Sequence, residues 1–148
     1  MKHYRFPYIA ITLLLSLCAH AANAQVIKWD TYEEAIQKSK QDNRPVYLFV
    51  FLESCGWCKK TKEKVFTNEK AIEKLNTHFH PAKISIRSED EIQLEGQSKP
   101  IKKHLHYHYD KIGTPTHMII SDDRTILGKS IGYIGTWEFR WFLNDWIE

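Results

Sequence analysis

The sequence predicts an α/β domain in which a central mixed β-sheet carries helices on both faces, and three observations point there. The run Val46-Tyr47-Leu48-Phe49-Val50-Phe51-Leu52 is unbroken, β-branched and aromatic, the composition of a strand buried on both sides. Segments with apolar residues at helical spacing lie before and after it, and a second strand-like run, Ala82 to Ile86, follows. Two strands flanking a helix form a βαβ unit with parallel strands. Towards the C-terminus, Thr116 to Ser121 and Ile126 to Ile131 flank the turn Asp122-Asp123, which predicts an antiparallel hairpin and so a mixed sheet.

The first 24 residues stand apart from this pattern. Lys2 and Arg5 precede a short apolar stretch, Ile9 to Leu17, and Ala22-Asn23-Ala24 fits an A-x-A cleavage site. Residues 1–24 therefore read as a secretory signal, and residues 25–148 as one mature domain. The apolar stretch is too short to span a bilayer, and no later segment is better suited. Cys18 falls within the segment to be removed, which leaves Cys55 and Cys58. The chain has 148 residues and a net charge of +3; losing Lys2 and Arg5 brings it close to neutral, so no nucleic-acid footprint is expected.

Along the mature chain, Val26 to Trp29 predicts a short first strand. Asp30 or Thr31 can cap a helix to about Lys40 with Tyr32, Ala35 and Ile36 inward, and Asp42-Asn43-Arg44-Pro45 breaks it. From Cys58 to Leu75 the spacing is helical, interrupted at Thr67-Asn68, which caps a second short helix. Ile84 and Ile86 share one face of the second strand. Ser88 to Pro100 is polar and reads as a surface excursion with room for one helical turn. Ile101 to about Tyr109 predicts a helix, and Thr136 to Ile147 a final one that sets Trp137, Trp141 and Phe142 or Trp146 against the sheet. The aromatic residues, with Trp29 among them, suffice for one core.

The most informative motif is Cys55-Gly56-Trp57-Cys58, placed between the apolar strand Val46 to Leu52 and a lysine-rich helix. A thiol at a helix N-terminus meets unpaired N–H groups and the positive end of the helix dipole, which favour the thiolate and make the sulfur a nucleophile. Lys59 and Lys60 push the same way. A crosslink across so few residues removes little chain entropy, so a close pair in an oxidising compartment points to redox exchange more than to stabilisation.

Taken with Gly113-Thr114-Pro115-Thr116 ahead of the hairpin, and with Ala82-Lys83-Ile84-Ser85-Ile86, this order of elements resembles the thioredoxin superfamily over essentially the whole mature chain. The resemblance implies a thioredoxin fold, a cis-proline at Pro115 facing the dithiol, and a backbone at Thr114 that pairs with an extended substrate. It implies Cys55 as attacking sulfur and Cys58 as resolving thiol. The chain departs from thioredoxin in its Gly56-Trp57 dipeptide, in Ser54 before the first cysteine, and in Phe49, which stands where thioredoxin carries a buried acid. Lys83 matches the lysine that pairs with that acid, and Glu53 is a candidate partner. The chain looks more like exported bacterial thioredoxin-like proteins, which implies a periplasmic thiol–disulfide oxidoreductase, with the reductase direction favoured. Its partners would be protein or peptide thiols and disulfides and a redox partner protein, for which a membrane-bound one is an option.

Trp57 reads equally well as a substrate contact and as a lid over Cys55. No cofactor and no metal are expected. The rival class is a metallochaperone-like binder of copper or zinc through the two sulfurs, for which His104 and His108 are the superficial partners. His104, His106 and His108 read as solvated helix residues, and His78 and His80 as ordinary connection residues. His117 reads as a strand histidine packed beside the site. A redox-inert module that binds extended peptides is the second rival. No segment is left over for a dimer interface, so a monomer is expected.

Overall fold

The computed structural model describes residues 25–94, 97–108 and 113–147; the signal-peptide prediction over residues 1–24 lies outside them, as does Tyr109. The elements run α1 (Tyr32–Asp42), β1 (Val46–Phe51), α2 (Gly56–Lys64), α3 (Glu69–His78), β2 (His80–Ser85), β3 (Glu91–Leu94), β4 (Gln97–Pro100), α4 (Ile101–His108), β5 (Thr116–Ile120), β6 (Ile126–Ile131) and α5 (Thr136–Asn144). The main sheet has the order β2-β1-β5-β6. Strands β1 and β2 are parallel, and β5 pairs antiparallel with β1 and with β6.

Strand β1 is the axis of the core. Val46 to Val50 have no solvent exposure, and because successive side chains of a strand point to opposite faces they feed two cores. Val46, Leu48 and Val50 pack with Tyr32, Ala35 and Ile36 of α1 and Ile101 and Leu105 of α4. Tyr47 and Phe49 pack with Cys58 and Val65 at α2, Ala71, Ile72 and Leu75 of α3, and Phe139 and Leu143 of α5. This is the mixed, helix-covered sheet expected from the uninterrupted apolar run.

Local signals set the helix ends. Thr31 caps α1 in a reciprocal box: its hydroxyl accepts the Glu34 N–H at 3.3 Å, and Glu34 accepts the Thr31 N–H at 2.9 Å. The helix ends at Asn43, in the left-handed region at φ 62°, which asparagine tolerates better than most residues. Asn68 caps α3 by accepting the Ala71 N–H at 3.1 Å.

Four expectations are corrected. Val26 to Trp29 forms no strand: the Asn76 side chain takes both the Lys28 N–H (2.9 Å) and the Val26 carbonyl (2.9 Å), and only Asp30 bridges to Ala82. Among its described residues the polar excursion forms not a helical turn but a hairpin, β3 against β4, with Glu91 opposite Pro100 and the Ile101 N–H closing onto the Asp90 carbonyl at 2.8 Å. Helix α5 stops at Asn144 and is rotated from the expected setting. Phe139 and Leu143 are buried, while Trp137 and Trp141 are 64% and 56% exposed. The Thr136 hydroxyl donates to the Lys64 carbonyl at 3.1 Å, which holds the first turn of α5 so that the Phe139–Leu143 stripe faces the sheet. Trp146 lies across β6 at Gly128, where a Cβ would come within 2.6 Å of its ring, so that glycine answers to close packing.

The fourth concerns histidines. His104 is buried (5% exposed) and lies beside the Tyr32 ring, with centroids 6.1 Å apart, because it shares the inward face of α4 with Ile101 and Leu105. His80 is buried as well, its Nε2 2.8 Å from Asp42 Oδ1. Although partial desolvation works against it, hydrogen bonds from His80 and Arg44 hold the Asp42 carboxyl down at about 2. The side chains of His106 and His108 lie outside those described.

Candidate active site

The C-terminal end of β1 delivers the chain to Cys55, the N-cap of α2. Its backbone is extended (φ −82°, ψ 112°) and its sulfur accepts the Cys58 N–H at 3.2 Å, the position a capping oxygen normally occupies. The Cys55 N–H is tied to the Leu52 carbonyl at 3.1 Å. Sulfur thus replaces oxygen at a site built to receive negative charge. Cys55 is half-buried, whereas Cys58, one turn deeper, is 1% exposed and belongs to the aromatic core.

These surroundings drive the two thiols apart. Desolvation opposes ionisation of Cys55, but hydrogen bonds from the Cys58 thiol and N–H, the Thr114 side chain and the Trp57 N–H outweigh it, and its pKa falls below the ordinary thiol value. Desolvation and the neighbouring Cys55 sulfur raise that of Cys58. One sulfur is prepared to attack and the other is held protonated until the first has been consumed.

The loop before β5 completes the site. The Thr114–Pro115 peptide is cis, and the Cys55 thiol donates to the Thr114 carbonyl at 3.5 Å. The loop is braced by the Thr116 hydroxyl on the Gly113 carbonyl (2.8 Å) and by the Gly132 N–H on the Pro115 carbonyl (2.8 Å). Trp57 leans on Tyr133, with ring centroids 5.5 Å apart, and leaves Cys55 partly open to solvent. A Cβ on Gly56 would meet nothing within 4 Å, so the chain is open to solvent at that position.

Other predicted site residues lie farther out in their contacts. Lys59 forms an exposed ion pair with Glu63 at 3.8 Å. Glu53 accepts a hydrogen bond from the Ser85 hydroxyl at 3.0 Å, and no ion pair joins it to Lys83 among the described residues. The Lys83 ammonium instead lies 5.6 Å from the centre of the Trp29 ring. With Phe49 beside Lys83 in the β1–β2 register, an aromatic face stands where a carboxylate would otherwise balance the lysine.

His117 sits on the dithiol-bearing face of the sheet, fully buried between Phe49 and Phe139, with Nδ1 2.7 Å from the Tyr47 hydroxyl. Burial lowers its pKa to about 3, so it is neutral. Among the described residues no group of three or more His, Cys, Asp or Glu side chains is placed to hold a metal ion. His104 packs on the opposite face from the sulfurs, so it cannot complete a site with them. Tyr133 escaped the sequence reading; its only signal was its position after Gly132.

Comparison with known proteins agrees with this geometry. A family described as the thioredoxin-like domain matches residues 32–147. The chain belongs to the thioredoxin-like family. This thioredoxin-like chain is 28% identical over 117 residues to a disulfide bond reductase, DsbH, of Chlamydia pneumoniae, covering 78% of the chain and 64% of that protein. It therefore spans less than two thirds of that relative, and only 9% of a much longer one from Caenorhabditis elegans. Among solved structures, a DsbH oxidoreductase superposes with a TM-score of 0.60 at 24% identity over 74% of this chain and 78% of the other. A thioredoxin from Thermus thermophilus superposes at 0.65, with 21% identity, over 80% and 85%. These structures share the thioredoxin fold of this chain. Family and relative together support thiol–disulfide oxidoreductase chemistry at a general level.

Proposed function

We propose that the protein is an exported thiol–disulfide oxidoreductase that acts as a reductase on protein or peptide disulfides. The observation that carries this reading is the split between the sulfurs: Cys55 capping α2, stabilised as thiolate and 3.5 Å from the Thr114 carbonyl, and Cys58 buried and protonated behind it. The Cys55 thiolate attacks one sulfur of a substrate disulfide, forming a mixed disulfide and releasing the other sulfur as a thiolate. Cys58 then loses its proton and attacks Cys55, expelling the second substrate thiolate. Two electrons pass to the substrate, and the Cys55–Cys58 disulfide remains to be reduced by a dithiol partner protein. The backbone at Thr114 and Pro115 would hold the substrate extended, with Trp57 as a side-chain contact. The reductase direction draws support from the relative named as a disulfide bond reductase.

Export rests on residues 1–24, with the mature protein starting at Gln25 and acting as a monomer in a periplasm. Among the described residues no helix is long and apolar enough to cross a membrane. N-terminal sequencing of protein recovered from the periplasm would return Gln25 first; a start at Met1 would remove this part of the reading.

The central test is alkylation and mass spectrometry after poising in glutathione buffers. A reversible two-electron transition is expected, with Cys55 alkylated at lower pH than an ordinary thiol and Cys58 last. Stoichiometric tightly bound copper or zinc would favour a metallochaperone, and the absence of any redox transition an inert peptide binder. Cys55→Ala should abolish turnover, and Cys58→Ala should accumulate mixed disulfides; turnover by the Cys55 variant would refute the assignment.

A further inference from the structure

The dithiol is bordered by a cationic clamp that the exchange chemistry does not itself require. Trp57 of α2 and Tyr133, from the segment after β6, present rings inclined by 30°. The Lys60 ammonium lies 4.9 Å from the first ring centre and 4.6 Å from the second. Gly132, at φ 97°, turns the chain so that Tyr133 arrives here, and its N–H is bound to the Pro115 carbonyl. One wall of the clamp is therefore one of the two residues between the cysteines, and the other is tied to the proline loop.

The charge around this clamp is one-sided. Helix α2 carries Lys59, Lys60, Lys62 and Lys64 against one acid, Glu63, which is engaged by Lys59. The Lys62 ammonium is parked over the Phe51 ring at 3.9 Å, and Glu53 is engaged by Ser85. Lys60 has no carboxylate partner among the described residues, and its attraction to two ring faces limits its freedom. A cation held in place before binding loses less entropy on forming an ion pair than a free lysine does. The N-terminus of α2 adds partial positive charge at the same entrance.

We infer that the protein selects acidic disulfide segments: an extended peptide whose reacting cysteine meets Cys55 carries an Asp or Glu within a residue or two, and that carboxylate pairs with Lys60. The inference rests on the oxidoreductase reading and adds the substrate class. The flat walls of Trp57 and Tyr133 cover the pair from the sides, while the peptide backbone follows Thr114.

The test uses the full mature chain and two fluorogenic peptide disulfides that differ only in carrying Asp or Lys on both sides of the cysteine. The wild-type protein should favour the acidic peptide about three- to fivefold in kcat/KM at low salt, with the ratio falling towards one as salt screens the pair. Lys60→Gln should remove the preference and Lys60→Glu invert it, while Lys64→Gln, at the far end of the helix, keeps it. A change in Cys55 nucleophilicity would scale both peptides alike, so the ratio isolates recognition. Equal turnover of both peptides by the wild type overturns the inference and leaves the oxidoreductase reading standing. So does a ratio that survives Lys60→Gln, or one that Lys64→Gln lowers equally. Reduction of neither peptide overturns the oxidoreductase reading and this inference with it.

Discussion

The two faces of the sheet are built from different chemistry. Under α1 and α4 the packing is almost wholly aliphatic, with Val46, Leu48, Val50, Met118 and Ile120 meeting Ile36, Ile101 and Leu105. Under α2, α3 and α5 it is dominated by rings. Phe66 stands edge-on to Phe49 (4.8 Å), Phe139 (5.8 Å) and Tyr47 (6.4 Å), and Trp29 joins the same group. The aliphatic face mainly fills space, with Tyr32 and the buried His104 as its polar members. The aromatic face also holds Cys58 and the buried polar pair Tyr47–His117, because rigid rings fix the helix that carries the thiols and tyrosine and histidine bring polar atoms inside. Stability is spread over both faces, and reactivity is confined to one.

The largest effect that can break this contrast is a pair of truncations. Phe139→Ala should cost about 3–5 kcal/mol and Leu48→Ala about 2–5 kcal/mol in denaturant unfolding. Only Phe139→Ala should move the pH at which Cys55 becomes reactive towards iodoacetamide, since of the two residues only Phe139 shares a cluster with Cys58. An equal shift from Leu48→Ala would show that the faces are not independent.

This contrast also separates what the sequence made legible from what it did not. Strand β1, the caps Thr31 and Asn68, and the thiol at the start of α2 are local: a run, a capping residue or a four-residue motif carries each. Features settled by a distant partner stayed hidden. The Val26–Trp29 segment depends on Asn76 some 48 to 50 residues away, the rotation of α5 on the Lys64 carbonyl, and the surroundings of Lys83 on Trp29. Helix α5 has apolar residues on nearly every side, so periodicity alone could not choose between its tryptophan stripe and the Phe139–Leu143 stripe.

A smaller effect sharpens the aromatic side. Tyr47→Phe leaves His117 Nδ1 buried without its partner and should cost about 1–3 kcal/mol, as should His117→Leu for the tyrosine hydroxyl; removing both should cost less than the sum. Acid should test the same pair. His117 is held neutral with a pKa of about 3 against 6.5 for the ordinary group, so the unfolded chain binds the extra proton first. Its contribution is intact above pH 6.5 and is lost progressively as pH falls towards 3. Asp42, lowered from 3.8 to about 2, adds a further loss only below pH 3.8. His117→Leu should flatten the stability profile between pH 6.5 and 3 and leave the lower limb in place; an unchanged slope in that window would mean that the histidine is not the group responsible.

The smallest effect comes from the same helix as the largest. Trp137 and Trp141 lean on each other on the outer side of α5, with ring centroids 5.6 Å apart and both largely exposed, each two residues in sequence from the fully buried Phe139. Trp141→Ser should change unfolding stability by no more than about 0.5 kcal/mol, although it deletes a larger side chain than Phe139→Ala does. Burial rather than size or residue type would then decide the cost. A loss of several kcal/mol from Trp141→Ser would instead place that tryptophan against the sheet, where helical periodicity first put it, and would require α5 to turn about its axis.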